Sequence, residues 1–257
     1  KGQYNTSNNL RSRGNLHARY STSPISWFHW LFDHYELQPN QRVLVCGGGP
    51  GMVWESNLDR VPSGVEVVFS DVSPGMVAEA EERLISAEIN LTFRVIDVMN
   101  IPYEDNSFDI VTANHMLYHV PDIAQSLAEM RRVLKPTGTL FAATNGEDHM
   151  RELKQFRRIL VPPTATTDYE WPLISFRLET GAAHLAKQFD TVSLNHFNDS
   201  LAVTDFDPLV AYATSIGPVQ KALTDDTLVD ARAYFDTMLS QHGAFNIIKS
   251  TCVFIAR

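Results

Sequence analysis

Short apolar runs alternate with amphipathic stretches from about residue 41 to residue 146. Runs of aliphatic, β-branched and aromatic residues of this length are typical of buried strands. They lie at residues 43–46, 65–69, 91–96, 108–113 and 139–143. Strands that alternate with helices predict an α/β, Rossmann-like fold, in which a doubly wound and mostly parallel sheet carries helices on both faces.

Two of the stretches between these strands have clear helix signals. Ser73 and Pro74 suit the N-cap and first position of a helix, and Pro121 is placed to start another. Apolar residues recur at helical spacing in both, at Val77, Ala80, Leu84 and Ile85 in the first and at Ile123, Leu127, Met130 and Leu134 in the second. Pro136 and Gly138 are expected to end the second helix.

The last third of the chain has a different pattern. Residues 190–197 and 251–256 predict two more strands, and Thr204 with Asp207 resembles a capping box between them. The helical insertion at about 200–245 is too long for a plain connection, so we expect it to form a cap over a ligand cleft. We expect residues 1–35 to form a helical lid segment, and 36–257 to form one domain with its core at 41–146.

The composition is that of an ordinary globular protein. Of 257 residues, 44% are hydrophobic and 20% are charged. No apolar run approaches the roughly 20 residues of a membrane span, and residues 1–13 lack the apolar core of a signal peptide. Cys46 and Cys252 are too few for a disulfide framework. We therefore expect a cytoplasmic protein with no membrane contact.

The formal net charge of -9 disfavours nucleic acid as a partner. The densest basic pairs, Arg131–Arg132 and Arg157–Arg158, lie in predicted helices, where solvated helix faces are the favoured interpretation. We therefore favour a small molecule over DNA or RNA as the partner. The sequence leaves open whether the protein is a monomer or a homodimer.

A glycine-rich turn follows the first predicted strand, at residues 47–51. Glycines allow a sharp turn and a close approach of a ligand to the main chain, and a helix that begins just after them offers free N–H groups. The dinucleotide pattern G-x-G-x-x-G/A requires a small residue where Met52 stands. Gly47, Gly49 and Gly51 instead fit G-x-G-x-G, which suits a ligand without a pyrophosphate.

Two carboxylates end the next strands. Asp71 follows the second strand, where a carboxylate can accept hydrogen bonds from both ribose hydroxyls of an adenosine. Asp97 follows the third strand and can accept from an adenine amino group, while the amide of Val98 serves a ring nitrogen. The alternatives, a helix cap for Asp71 and an ordinary loop residue for Asp97, are each weaker once the three strand ends are considered together.

In this order, the motifs resemble those of the class I S-adenosylmethionine-dependent methyltransferases of the small-molecule type. The matching segments are residues 43–51, 71–76, 96–98, 107–111, 114–122 and 134–138. The resemblance implies a seven-stranded sheet whose last strand is antiparallel, and it implies S-adenosylmethionine as the cofactor, with S-adenosylhomocysteine as its product. It also implies that Gly47, Gly49 and Gly51 line the methionine side of the cofactor, with Asp71 at the ribose.

By the same resemblance, Val72 and Met76 flank the adenine, and the backbone carbonyl of Asn114 meets the methionine ammonium. The chain departs from the family at Val45, where many members have an acidic residue near that ammonium. A cation from the lid could still hold the cofactor's carboxylate, because Arg13, His17 and Tyr20 have helical spacing. A solvent-exposed terminal helix is the equal alternative.

Methyl transfer from a sulfonium is an in-line displacement, in which the protein holds the acceptor near the methyl carbon and excludes water. The candidate bases are His115 and His119, after the fourth strand, and His17 in the lid. For His119, a packing role that fixes the loop is slightly favoured over catalysis. We expect no metal, since the histidine pair lacks the glutamate of a metal-binding pattern.

The resemblance predicts an enzyme that methylates a small molecule at an O, N or C atom that the sequence does not resolve. Specialised metabolism is one setting that fits this prediction. Asn114-His115-Met116-Leu117 lacks the Pro-Pro-aromatic pattern of enzymes that methylate base nitrogens. Two alternatives remain. One is a S-adenosylmethionine-binding protein that does not methylate, which Val45 supports, and the weaker one is an NAD(P)-dependent oxidoreductase, which Met52 disfavours.

Overall fold

The computed structural model describes residues 8–85, 89–161, 175–215 and 219–257, with the backbone alone for residues 8–13, 220 and 221. The strands are β1 (Arg42–Cys46), β2 (Glu66–Asp71), β3 (Asn90–Val95), β4 (Phe108–Asn114), β5 (Leu134–Asn145), β6 (Val192–Phe197), β7 (Ser200–Val203), β8 (Phe245–Ile248) and β9 (Thr251–Ala256). Seven of them form the central sheet, and β7 pairs with β8 in a separate antiparallel sheet.

The central sheet has the strand order β3-β2-β1-β4-β5-β9-β6. Neighbours from β3 to β5 are parallel, whereas β9 is antiparallel to both β5 and β6. This arrangement confirms the predicted seven-stranded sheet with an antiparallel last strand. The carboxyl ends of β1, β2, β3 and β4 therefore meet at one edge, where ligands bind in folds of this kind.

Helices cover both faces of the sheet and continue into the cap. They are α1 (Asn8–Tyr20), α2 (Trp27–Asp33), α3 (Met52–Glu55), α4 (Pro74–Leu84), α5 (Ile123–Val133), α6 (Arg151–Leu160), α7 (Leu178–Leu185), α8 (Phe206–Thr214), α9 (Val219–Ala222) and α10 (Asp225–His242). No helix in the described part of the chain is long and apolar enough to cross a membrane.

The helix signals in the sequence predict the positions of α4 and α5 to within a few residues. Ser73 is the N-cap of α4 and accepts a hydrogen bond from the amide of Met76, as predicted. Pro121 only precedes α5, because Asp122 is the N-cap and accepts from the amide of Gln125. Ile85 is 71% exposed beyond the end of α4, so its place in the apolar stripe was wrong.

At its far end, α5 stops before the predicted breakers are reached. It ends at Val133, and Leu134 already begins β5, so neither Pro136 nor Gly138 is needed to end the helix. Leu134 is still buried, although it contributes to the core as a strand residue.

Each face of the sheet has its own apolar cluster. One joins Leu44, Val111 and Phe254 of the sheet to Leu127 of α5 and Leu185 of α7. The other joins the opposite face to helices α2, α3 and α4, and its members include Leu31, Val43, Trp54, Phe69, Ala80, Leu84 and Phe141. The two-sided burial explains the near-continuous apolar runs in the strand sequences.

A third apolar cluster forms the cap. Each of α1, α6, α8, α10 and the β7–β8 sheet contributes buried residues to it, including Leu16, Phe156, Leu209, Phe235 and Ile247. The cap thus includes α6, which lies before the predicted insertion at 200–245. The division into a lid at 1–35 and a domain at 36–257 stays a prediction.

Two local predictions in this region were wrong. Asp205 is the N-cap of α8, and the helix start has no side-chain hydrogen bond of the predicted Thr204–Asp207 capping box. Arg157 is 7% exposed and donates to the carbonyl of Ala213 at 3.2 Å, so it lies on the packed side of α6, whereas its neighbour Arg158 is exposed.

Of the other basic pair, Arg132 is also engaged by the protein. Its guanidinium donates to the carbonyls of Ile101 and Tyr103 and pairs with Glu129. This arginine ties α5 to the segment before β4, while 32% of its side chain stays exposed to solvent.

Candidate functional site

The glycine turn after β1 is built for close contact with a ligand. Gly47, Gly49 and Gly51 have φ angles of 60°, 56° and 84°, which favour glycine. A Cβ on Gly49 would meet no protein atom within 4 Å, whereas one on Gly48 would lie 2.2 Å from Cζ of Phe69. The turn is thus packed against the core at Gly48 and open at Gly49, where a ligand can approach the main chain.

Asp71 lies at the carboxyl end of β2 and faces this turn. Its Oδ2 accepts from the amide of Gly49 at 3.0 Å, and its Oδ1 accepts from the amide of Ser73 at 2.9 Å. Each carboxylate oxygen keeps a further lone pair for a ribose hydroxyl. Asp71 therefore both fixes the loop and remains able to bind a ligand.

The predicted adenine site lies at the ends of β2 and β3. Asp97 is exposed, and its Oδ1 accepts from the amide of Met99 at 2.9 Å. Val98 and Met76 are buried, whereas Val72 is 67% exposed. An apolar side chain this exposed, beside two carboxylates, suits the edge of a flat aromatic ligand.

Asn114 ends β4 next to the glycine turn, since Cys46 and Ala113 are register partners. Its Nδ2 donates to the hydroxyl of Tyr35 at 2.7 Å, and its Oδ1 is buried without a hydrogen-bond partner in the described part of the chain. A buried amide oxygen left unpaired is costly unless a ligand satisfies it. It suits an ammonium group.

Tyr35 is a site residue that the sequence did not reveal. It is 2% exposed, and burial raises the pKa of its hydroxyl. Val45, where the resemblance leads us to expect an acid, belongs to the same apolar cluster as Tyr35. The Tyr35–Asn114 contact adds a polar pair at the end of β4.

Three histidines gather beyond the ends of β4 and β5. His115 directly follows β4 with a φ of 54°, and its ring centroid lies 5.4 Å from that of Trp27. His17 of α1 packs edge-on against Tyr212 at 5.7 Å, and its buried Nδ1 has no hydrogen-bond partner among the described residues. His149 accepts from the amide of Ser250 at its Nδ1, at 3.3 Å.

These histidines are neutral at physiological pH. Burial, followed by the charge of Lys249, lowers the pKa of His17 to about 3 and that of His115 to about 4. Burial and the charges of its neighbours also hold the pKa of His149 well below its ordinary value. A neutral imidazole can accept a proton, so all three satisfy the first requirement of a general base.

Lys249 and Asp199 form a buried ion pair beside the histidines. Their side chains are 7% and 1% exposed. Burial acts to raise the pKa of Asp199, but the hydrogen bonds from Lys249 and Ser21 outweigh it and lower the pKa. Sequence patterns did not indicate this pair or His149, because each is a single polar residue whose neighbours come from distant segments.

Aromatic contacts connect these groups into one chamber. The ring centroid of Phe197 lies 5.3 Å from that of Trp27, and the Nζ of Lys249 lies 5.3 Å from the Phe197 ring. We call this cluster of side chains the acceptor chamber and define it by His17, Trp27, His115, His149, Phe197 and Lys249. It combines flat apolar walls with proton acceptors and one buried cation.

The remaining predicted site residues lie elsewhere. His119 is close to Asp71, whose charge raises its pKa while burial, the stronger effect, lowers it. It also lies close enough to His115 for its charge to lower the pKa of that histidine. Tyr20 donates to Asp205 at 2.5 Å and joins α1 to the cap, and the side chain of Arg13 lies outside the described residues. Their predicted roles stay predictions.

The described residues hold no group of three or more histidine, cysteine or acidic side chains that could bind a metal ion. Cys46 and Cys252 are buried and unpaired by disulfides.

Comparison with known proteins gives a family match for residues 44–142, which fit the sequence model described as "Methyltransferase domain". A demethylmenaquinone methyltransferase from Beutenbergia cavernae is 37% identical over 117 residues, which make up 46% of this chain and 46% of that protein. The ubiquinone/menaquinone biosynthesis C-methyltransferase UbiE from Paraburkholderia phymatum is 32% identical over 137 residues, or 53% of each chain. The chain thus spans about half the length of the curated relatives it matches.

Solved structures show the same fold. Phosphoethanolamine N-methyltransferase 2 from Haemonchus contortus, in complex with S-adenosyl-L-methionine, superposes with a TM-score of 0.60 at 18% identity. The match covers 100% of this chain and 58% of that one. At this identity the likeness concerns the fold alone.

Proposed function

The chain contains a class I S-adenosylmethionine-dependent methyltransferase domain, and from this premise we propose that it methylates a small molecule held in the acceptor chamber. The observation that carries the proposal is the adjacency of two half-sites at one sheet edge. The glycine turn with Asp71 and Asp97 suits a nucleoside, and His115 places the chamber one residue beyond Asn114, which borders that turn. A methyl donor and its acceptor need this kind of shared boundary.

The residues at the strand ends have the hydrogen-bonding groups and open space that S-adenosylmethionine requires. Asp71 has free lone pairs for the ribose, Gly49 leaves open space before its backbone, and exposed Val72 can cover the adenine. The unpartnered Oδ1 of Asn114 can accept from the methionine ammonium. When bound, S-adenosylmethionine supplies a methyl group on a positively charged sulfur, which departs as a neutral thioether.

The chain's own residues then have three tasks. Trp27 and Phe197 provide flat walls that orient a ring-shaped acceptor. The cap covers the strand ends and excludes water, which would otherwise solvate the reacting atoms. A neutral histidine of the chamber takes the proton that the acceptor loses, and of the three predicted bases His17 and His115 line the chamber, whereas His119 does not.

The relatives from Beutenbergia cavernae and Paraburkholderia phymatum bear names that place their acceptors among quinone precursors. A quinol ring is flat, apolar and hydroxylated, which agrees with the aromatic and histidine lining of the chamber. Quinol-like phenols are therefore the first acceptors to test. The acidic net charge of -9 agrees with a small-molecule acceptor and disfavours a nucleic acid.

The test is calorimetry with S-adenosylmethionine, followed by turnover with a panel of phenols and quinols and detection of S-adenosylhomocysteine. We expect micromolar cofactor binding and product formation with at least one ring acceptor. Absence of binding at millimolar cofactor contradicts the proposal. Binding of S-adenosylmethionine without turnover on a broad panel identifies a protein that binds the cofactor and does not methylate. Binding of NADH instead of S-adenosylmethionine supports the oxidoreductase alternative.

A further inference from the structure

We propose that the acceptor chamber binds its acceptor as an oxyanion, with Lys249 holding the negatively charged oxygen and His17 taking its proton. The inference deepens the proposed function and rests on it, because it names the acceptor class as ring compounds with an acidic hydroxyl group. Phenols, quinols and stable enols share this chemistry.

The ammonium of Lys249 has N–H donors available for a ligand. It carries three N–H donors, and in the described part of the chain it donates to Asp199 and otherwise lies against the face of Phe197. Its side chain is 7% exposed, so bulk water does not satisfy the other donors well. A buried cation with unused donors stabilises an anion more strongly than a surface lysine can.

Asp199 offsets the charge of Lys249 but occupies only one of its three N–H donors. The Oδ1 of Asp199 accepts from the hydroxyl of Ser21 and from the amides of Thr22 and Ser23, at 2.8, 3.2 and 3.1 Å. These donors belong to the segment between α1 and α2, and Lys249 bonds to the other oxygen, Oδ2. Lys249 is held in place by this carboxylate and can still serve a second anion.

His17 complements Lys249 from the lid. Its buried Nδ1 lacks a partner among the described residues, and the charge of Lys249 acts on its ring. Without a ligand this charge and burial keep the imidazole neutral. An acceptor oxygen bound near Lys249 can lose its proton to Nδ1: the O–H bond breaks, its electron pair stays on oxygen, and the new imidazolium lies beside the oxyanion that stabilises it.

A cleft gives a ligand access to this cation. Its volume is about 610 Å³, and Phe197, Asp199, Lys249 and Thr251 contribute to its lining. The aromatic ring that closes one side of the chamber therefore also borders open space. An acceptor bound in this cleft can place a charged oxygen at Lys249 and extend a polar group along the other lining residues.

The experiment uses 4-nitrophenol, whose anion absorbs visible light, with the full chain and S-adenosylhomocysteine. At a pH below the dye's own pKa, we expect binding to increase the anion absorbance. Lys249→Met should weaken dye binding by about 10-fold or more and abolish the absorbance increase, whereas Lys249→Arg should retain it. Lys187→Met, at an exposed position, is the matched control.

Further variants and an uncharged analogue distinguish loss of the anion site from loss of the fold. Lys249→Met combined with Asp199→Asn avoids an unpaired buried carboxylate and should also lose the anion signal, with its fold verified by circular dichroism. The uncharged analogue 4-nitroanisole should bind wild type and Lys249→Met equally. His17→Gln should reduce the anion signal at low pH and leave it unchanged above the dye's pKa.

A wild-type protein that leaves the dye's ionisation unchanged overturns the proposal, and so does a folded double variant that keeps the anion signal. Calorimetry with S-adenosylmethionine on the same proteins separates this outcome from failure of the proposed function. Lys249→Met that binds the cofactor normally but loses the anion supports the oxyanion subsite. Wild type that fails to bind the cofactor contradicts the methyltransferase proposal instead.

Discussion

The carboxylate of Asp71 accepts a hydrogen bond from the backbone amide of Gly49 across a distance of 3.0 Å. This contact links the end of β2 to the glycine turn after β1 without any ligand. The proposed ribose-binding group and the proposed main-chain contact are thus already fixed relative to each other. A preorganised site of this kind loses little conformational entropy on binding.

Asp71→Ala should weaken S-adenosylmethionine binding by about 10- to 100-fold, because hydrogen bonds to a charged group contribute roughly 1.5–3 kcal/mol. It also frees the Gly49 amide, so the turn loses an internal support. Isothermal titration calorimetry measures the change. Asp59→Ala, at an exposed position in the turn Leu58–Arg60, is the control and should bind as wild type. Equal affinity of Asp71→Ala and wild type would remove Asp71 from the binding site.

Two adjacent glycines should respond differently to alanine. Gly48→Ala places a Cβ 2.2 Å from the ring of Phe69, so we expect a loss of about 1–3 kcal/mol in unfolding free energy from overpacking. Gly49→Ala meets no protein atom within 4 Å and should cost only about 1–2 kcal/mol of backbone strain. Its main effect should be on cofactor binding.

Chemical denaturation and calorimetry together test this contrast. The interpretation of the glycine turn fails if Gly49→Ala binds S-adenosylmethionine as wild type does while Gly48→Ala keeps full stability.

The chamber histidines should make the protein less stable in acid. The folded pKa values of His17 and His115 are lowered to about 3 and about 4, below the ordinary value of 6.5. Between those values the unfolded chain binds more protons than the folded one, so stability falls as pH decreases from 6.5. Each histidine contributes a slope of about 1.4 kcal/mol per pH unit in that window.

His17→Gln should therefore reduce the dependence of unfolding free energy on pH between about 6 and 4. Urea denaturation at several pH values measures the slope, and His242→Gln at the exposed end of α10 is the control. An unchanged slope would mean that His17 becomes protonated in the folded protein within this range.

Tyr20 should anchor the lid to the cap. Its hydroxyl donates to Asp205 at 2.5 Å, and the contact together with burial raises its pKa to about 12. Tyr20→Phe keeps the ring and removes the bond, which should lower stability by about 1–2 kcal/mol. Hydrogen exchange should show faster exchange in α1, whose His17 would then be positioned less well.

The more exposed Arg19–Asp205 ion pair offers a matched comparison, since its partners are 62% and 47% exposed. Arg19→Ala should change stability by less than about 1 kcal/mol. Equal effects of the two variants would show that Tyr20 contributes through packing of its ring alone.

The parts of the site that could be predicted from the sequence are those encoded by short segments. The glycine turn, Asp71 and Asp97 each follow a strand directly, and the parallel order of the strands brings them to one edge. The N-cap at Ser73 is equally local. These features depend on neighbours within a few residues, so the pattern is sufficient.

The parts that could not be predicted depend on contacts between distant segments. Tyr35 and Asn114 are 79 positions apart, and Lys249 and Asp199 are 50 positions apart. Arg157 has the sequence spacing of a surface residue, and its burial follows only from the packing of α6 against α8. Side-chain polarity by itself does not reveal which charged residues the tertiary structure removes from water.

Ser21 and Asp199 bond across 178 positions of the chain. Closing so long a loop is entropically unfavourable until the intervening sheet has formed. The methyl-acceptor half of the site should therefore assemble late in folding, after the nucleoside half, whose parts come from residues 47–97. A refolding protein should acquire affinity for S-adenosylhomocysteine before it acquires affinity for a phenol.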